Sequence, residues 1–303
     1  MSYGYCHTTQ LIAETDAGGT LALLPGIFTP RTFADLVSAV EATTTTVVPS
    51  MLTLLARSRW HTYEQVSSLR TIVFGGGPVS LEVLDALRAR LPKAELVQTY
   101  GQTEAGPRVT TLRWSDAGVR RGSVGRAVPG MRITIRSPNG EVVPSGQIGE
   151  IVVSGPGVMS GYFNDPAATA AVLNDGWLRT GDLGSLDDDG FLWLAGRLRN
   201  LIITAGRNVI AEEVEVHLRG IPGVADAAVF GEPDELRGER IHAVIVIRPG
   251  ADLTAADVRA SLATRLASHK LPRCVSFVTD LPRTANGKVD RARLGQVAAK
   301  ESG

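Results

Sequence analysis

The stretch that most constrains this chain is Thr71–Gly101, where two short apolar runs each flow into a glycine turn, with one amphipathic helix between them. TIVFGGGP (71–78) predicts a strand ending in a turn. Ser80 predicts the N-cap of a helix with Leu81, Leu84, Leu87 and Leu91 on one face, stopped by Pro92. ELVQTYG (95–101) predicts the next strand. Strand, turn, helix, strand is the rhythm of a doubly wound parallel sheet, whose ligands sit beyond the carboxyl ends of the strands. Upstream, Thr20–Pro25 predicts a buried strand and TTVVP (45–49) another. Between them Thr29 predicts an N-cap, with Pro30 at the first helical position and Phe33, Leu36, Val37 and Val40 at i, i+3, i+4 and i+7.

From about Gly122 the pattern changes. The alternating runs MRITIRS, GEIVVSG and GFLWLAGR, parted by PNGE, PSGQIG and DDDG turns, predict a small antiparallel β module. After Arg197 come a helix (IAEEVEVHLRG), two strands (DAAVFG and HAVIVIRPG) and a helix capped by Thr254, with Asp257 three residues on and Val258, Leu262 and Leu266 at fourfold spacing. The expected fold class is α/β: a partial doubly wound subdomain over 1–121, a β-barrel-like subdomain over 122–197, and a separate, mobile α+β lid domain over 198–303. No internal repeat interrupts this order.

Composition narrows the class. Lys plus Arg equals Asp plus Glu at 31 each, so no overall field favours nucleic acid or an acidic membrane. No apolar run reaches the roughly 20 residues needed to cross a bilayer. Two cysteines, Cys6 and Cys274, predict a reduced compartment with no disulfide framework, and the expected location is the cytoplasm.

Four clusters carry chemistry. Gly75, Gly76 and Gly77, followed by Pro78, end an apolar strand, and a backbone without Cβ atoms can approach a flat ring or a phosphate. Tyr100-Gly101-Gln102-Thr103-Glu104 puts a hydroxyl and a carboxylate side by side at a strand end, where they can bind a phosphate oxygen and its divalent cation. Asp182, within Trp177–Gly184, and Arg197, after Gly196, offer an acceptor and a donor that suit a ribose diol. Between them Asp187–Asp189 reads as a solvated hairpin turn. Pro282–Arg291 places Lys288 beyond a glycine, a compact cation that can be delivered to developing negative charge. Taken singly, the glycine run, the Thr-Glu pair and the lysine also read as ordinary turns.

Together, their order and spacing resemble the superfamily of acyl-CoA synthetases, peptide-synthetase adenylation domains and luciferases, most closely over 161–215 and in all from near residue 18 to the end. The resemblance implies that Gly75–Pro78 line the adenine and part of the acyl pocket. Tyr100 would pack near the adenine, Thr103 bind the α-phosphate, and Glu104 hold Mg²⁺. Asp182 and Arg197 would bind the ribose, Arg199 would be the hinge, and Gly206 would line the pantetheine tunnel. Lys288 would contact the carboxylate and α-phosphate during adenylation. The implied activity is that of an AMP-forming acid–thiol ligase. It would use ATP, by way of AMP and acyl-AMP, with Mg²⁺, a small carboxylic acid, and CoA or a carrier protein's phosphopantetheine.

The chain departs from the family pattern in places. The Ser/Thr/Gly-rich loop ending in lysine, which wraps the β- and γ-phosphates, has no counterpart here, and the sequence begins near the family's central turn at Ser2-Tyr3-Gly4-Tyr5. Asn200 stands where an acid is common, and Ala211 where proline is expected. The leading expectation is a naturally shortened ligase, impaired in adenylation on its own and completed by a separately encoded N-terminal half. The alternatives are a transferase that passes a ready-made acyl-adenylate to CoA, a carrier thiol or an amine, a non-catalytic nucleotide- or partner-binding remnant, or an ordinary ligase whose working chain starts further upstream.

Overall fold

The computed structural model describes residues 7–58, 63–118, 120–284 and 288–300. The chain divides into two compact units, Met1–Thr180 with Gly184–Leu194, and Gly181–Leu183 with Ala195–Gly303. No helix among the described residues is long and apolar enough to cross a membrane.

In the first unit, β1 (Thr44–Val47), β2 (Thr71–Phe74), β3 (Glu95–Gln102), β4 (Gly106–Arg113) and β5 (Arg126–Ala127) form one sheet in that order. β1, β2 and β3 are parallel, with Thr44 opposite Thr71 and Thr71 opposite Glu95; β4 returns antiparallel along β3. Helix α1 (Pro30–Val40) precedes β1, and α2 (Pro49–Arg57) and α3 (Leu81–Arg90) lie in the β1–β2 and β2–β3 crossovers. The predicted caps are present. Thr29 accepts from Thr32 N and Ser80 from Val83 N, and each satisfies an orphan donor of the first turn. Phe33, Val37, Leu52, Leu55, Ile72, Leu84, Leu87 and Leu96 fill the core.

Two expectations fail here. Thr20–Pro25 is not a strand, and Leu23 is 61% exposed. A strand needs a hydrogen-bonding neighbour, and no described strand lies beside this segment. Val40 and Leu81 also face outward, because each stands at a helix end, beyond the stripe that meets the sheet.

A second sheet has the order β10-β9-β7-β6, with β8 on β9. Its strands are β6 (Arg132–Arg136), β7 (Gly149–Ser154), β8 (Leu173–Asn174), β9 (Trp177–Leu186) and β10 (Leu192–Arg197). Asp187 closes the turn before β10, accepting from the backbone N–H groups of Asp189 and Phe191.

The second unit is built on β11 (Leu201–Thr204), β12 (Arg207–Ile210), β13 (Val224–Asp234), β14 (Gly238–Ile247) and β15 (Cys274–Val278). The order is β12-β11-β14-β13, with β15 parallel to β14. Helices α4 (Ala211–Arg219), α5 (Ala255–Ala263) and α6 (Leu294–Lys300) complete it. Thr254 and Asp257 form the predicted capping box, and those hydrogen bonds hold the Asp257 carboxyl below its ordinary value.

Glu215 on α4 is buried at this unit's centre. It accepts from Val229 N at 2.9 Å and lies 2.7 Å from Arg291 and 3.4 Å from Arg219. Burial pushes its carboxyl pKa up, while Arg291, the Val229 amide and Arg219 pull it down. Removing one partner of a buried pair leaves a charge uncompensated, at about 3–5 kcal/mol. Because Arg219 remains, Arg291→Met is expected to destabilise the second unit by a lesser ~2–3 kcal/mol. Denaturant unfolding followed by circular dichroism measures this.

Candidate active site

The parallel pairing of β2 with β3 sets Phe74 opposite Gln98 and brings the carboxyl ends of both strands to one edge of the sheet. Thr99 Oγ1 donates across to Phe74 O at 3.2 Å. Gly75 is buried just past the end of β2, and Gly76, Gly77 and Pro78 are exposed beyond it. β3 runs on through Tyr100, which is buried, into a single helical turn, Thr103–Ala105, that reverses the chain into β4. The glycine run and the Thr103-Glu104 pair are thus brought to one edge, as the sequence rhythm requires.

Gly101 makes the reversal possible. A Cβ there would lie 2.5 Å from Gly106 O and from Pro107 C, so the returning backbone occupies the space of any side chain. Met159 N donates to Glu104 O at 2.8 Å, which pins the 155–163 loop over this turn. From that loop Tyr162 Oη donates to Glu104 Oε1 at 3.0 Å, and desolvation, with the Glu104 carboxylate beside it, pushes the phenol pKa up. Oε2 of Glu104 has no hydrogen-bond partner among the described residues. A half-exposed carboxylate with one oxygen oriented and the other open is the donor chemistry a hard divalent cation takes.

In the second unit Arg197 Nε lies 2.9 Å from Asp182 Oδ1; the carboxylate is buried and the guanidinium half-exposed. The two residues named as ribose partners are therefore held against each other. Arg199 is exposed within the short helical turn Leu198–Asn200. Gly206 closes the β11–β12 turn at φ +74°. Lys288 is exposed, in a loop clasped by Thr284 N donating to Lys288 O at 2.8 Å, and residues 285–287 of that loop lie outside the described residues. Asn200 Nδ2 donates to Glu212 Oε1. An acid at position 200 would meet that carboxylate with like charge, which accounts for the amide here.

The AMP-binding enzyme model matches residues 1–163, and the AMP-binding enzyme C-terminal domain model matches 213–288. The chain belongs to the AMP-binding enzyme family. It is 40% identical over 294 residues to an indoleacetate–CoA ligase of Aromatoleum aromaticum, covering 97% of this chain and 57% of that one. Among solved structures, the o-succinylbenzoate CoA synthetase of Bacillus subtilis, in complex with its acyl-adenylate, superposes with a TM-score of 0.85. There the identity is 33%, covering 96% of this chain and 58% of that one. The amide bond synthetase of Marinactinospora thermotolerans gives a TM-score of 0.79 at 37% identity, covering 89% of this chain and 55% of that one. The chain thus spans a little over half the length of these relatives.

For this AMP-binding family member, sequence reading did not single out Tyr162, 58 residues from the carboxylate it touches. Only the three-dimensional pairing of two turns reveals it. Nor did it foresee that Asp182 and Arg197 pair with each other.

The turn geometry makes a testable distinction. Gly101→Ala places a Cβ against backbone and is expected to cost about 1–3 kcal/mol or more by overpacking. Gly140, at φ +83° with nothing within 4 Å, is constrained by backbone conformation alone, and Gly140→Ala is expected to cost about 1–2 kcal/mol. Thermal unfolding compares the two, and a structure of Gly101→Ala should show a displaced β3–β4 turn while Gly140→Ala keeps its fold.

Proposed function

We propose that the chain carries the adenylate-handling part of an AMP-forming acid–thiol ligase. The observation that supports this reading is that Gly75–Pro78 and Thr103-Glu104 follow the carboxyl ends of two neighbouring parallel strands. In this reading Gly75–Pro78 face the adenine and part of the acyl group, Tyr100 lies near the adenine, and Thr103 donates its hydroxyl to the α-phosphate. Glu104, steadied by Tyr162, holds Mg²⁺, which when bound neutralises phosphate charge. Asp182 accepts from the ribose hydroxyls and Arg197 donates to them. Arg199 serves as the hinge and Gly206 leaves room for the pantetheine arm.

The reaction has two halves. A carboxylate oxygen attacks the α-phosphorus of ATP, the bond to the bridging oxygen breaks, and pyrophosphate leaves. Lys288 offsets the charge that develops on the attacking carboxylate and the α-phosphate. A thiol then gives up its proton to solvent, its sulfur attacks the acyl carbon, and AMP leaves with the bonding pair. Indoleacetate is a sensible first acid, because the relative described above is an indoleacetate–CoA ligase. A second reading, transfer of a ready-made acyl-adenylate to an amine, draws support from the likeness to an amide bond synthetase.

Two assays separate the halves: pyrophosphate release from ATP and acid, and acyl transfer from synthetic acyl-AMP to CoA or an amine. Lys288→Ala is expected to depress the first and spare the second; Gly206→Leu should depress transfer to CoA while sparing transfer to a small amine. Absence of both activities, together with absence of AMP binding by calorimetry, would sink the proposal. Tyr162→Phe removes one hydrogen bond to Glu104 and should weaken Mg²⁺-dependent AMP binding by ~2- to 10-fold, the equivalent of about 0.5–1.5 kcal/mol. An unchanged Mg²⁺ dependence would remove Tyr162 from the site.

A further inference from the structure

The second unit holds a cluster that none of this chemistry uses. Glu232 on β13, His242 on β14 and Cys274 on β15 come from three adjacent strands, and their ligating atoms all lie within 4.8 Å of one another. Strand register brings this about. His242 sits directly opposite Cys274 in the parallel β14–β15 pair and opposite Phe230 in the antiparallel β13–β14 pair. Glu232, two residues beyond Phe230, therefore shares the face of His242.

The imidazole is fixed on two sides. Phe230 stacks on it at 5.0 Å between ring centroids and 19° between planes. Its Nε2 lies 2.9 Å from Ser276 Oγ. These contacts turn Nδ1 toward Glu232 Oε2, at 3.0 Å. Metal-binding histidines are commonly oriented in this way, by a partner on the nitrogen that does not ligate. The ring tautomer decides the roles: with Nδ1–H donating to Glu232 the pair is an ordinary hydrogen bond, and with Nε2–H donating to Ser276 the Nδ1 lone pair is freed for a cation between it and the carboxylate.

We infer that Glu232, His242 and Cys274 form a three-ligand site for a thiophilic divalent cation of the Zn²⁺ type, with its fourth position open to water. Zinc bonds of about 2.3 Å to sulfur, 2.0–2.1 Å to nitrogen and 2.0–2.2 Å to oxygen separate tetrahedral ligand atoms by less than 4.8 Å, so small rotamer adjustments close the site. On binding, the Cys274 S–H bond breaks, the proton leaves to solvent, and the sulfur pair bonds the metal. The competitor is Arg240, whose Nε and Nη2 lie 2.9 and 2.8 Å from the two Glu232 oxygens. The ion displaces one of these N–H donors, so removing Arg240 should tighten binding.

The test uses the full chain, stripped of metal by a chelator and kept reduced by a phosphine, titrated with Zn²⁺ in a calorimeter. The expected result is one ion per chain, with affinity about tenfold or more weaker in Cys274→Ser and His242→Gln, unchanged in Cys6→Ser and tighter in Arg240→Met. Ser276→Ala, which loosens the ring without removing a ligand, should weaken binding by ~10- to 100-fold. No stoichiometric binding, or binding that survives in both ligand variants or follows Cys6, overturns the inference. Should the variants misfold, wild-type Cys274 serves directly. Zn²⁺ is expected to slow its alkylation by iodoacetamide, read by mass spectrometry, and an unchanged rate overturns the site.

Discussion

The parallel hydrogen bonding of Thr71–Phe74 with Glu95–Gln98 is the interaction on which the first unit's site depends. It fixes not only that the two strands are neighbours but that both point their carboxyl ends to one edge, β3 running four residues past the Gln98 that lies opposite the end of β2. A one-residue slip would turn every side chain of β3 to the other face and take Leu96 out of the core. The core of Ile72, Leu84, Leu87 and Leu96 penalises that slip heavily, since each residue contributes about 1.5–3 kcal/mol through burial. Packing beneath the sheet therefore determines where the chemistry above it can sit. The turn then adds its own condition at Gly101, where the returning backbone leaves no room for a side chain.

The second unit solves a different problem. A carboxylate buried at the centre of an apolar cluster costs several kcal/mol unless its lone pairs are satisfied. Glu215 meets that cost with the Val229 amide and two guanidiniums, and Arg291 arrives from 76 residues further along the chain. Arg291 also donates to Val229 O, so one side chain ties the end of the chain to β13. The loop that carries Lys288 lies immediately before this anchor. An exposed lysine on a short loop is thus tethered to the most constrained polar group of its unit.

How much of this was legible depended on how far apart the interacting residues lie. Thr29, Ser80 and Thr254 were readable as caps because each satisfies a donor three residues away, and the structure has all three. The strands of Thr71–Phe74 and Glu95–Gln102 were readable because apolar runs ending in glycine leave few alternatives. Thr20–Pro25 has a similar apolar look but no neighbouring strand among the described residues, and strand formation is decided by pairing rather than by the segment itself. The Tyr162–Glu104 hydrogen bond and the Glu232, His242 and Cys274 cluster leave no trace in sequence spacing. They are consequences of loop contact and strand register, which exist only once the sheets have formed.

The Asp182–Arg197 pair bears on what a ligand must do there. At 2.9 Å the carboxylate already has its guanidinium, so under the ribose role proposed for this pair an entering diol would exchange that charge-assisted hydrogen bond for ones of its own. The carboxylate is 7% exposed and the guanidinium 45%, so the arginine is the partner whose own charge stays hydrated if it swings away, while the buried Asp182 would then depend on the incoming group. Under that proposed role Asp182 would be the fixed reference and Arg197 the adjustable contact. An exchange of this kind contributes little net affinity, since it replaces one satisfied pair by another. Its effect would lie in orientation, because a diol that reaches only one of the two groups would leave the displaced Asp182–Arg197 contact unreplaced, at about 1–3 kcal/mol or more for a charged group.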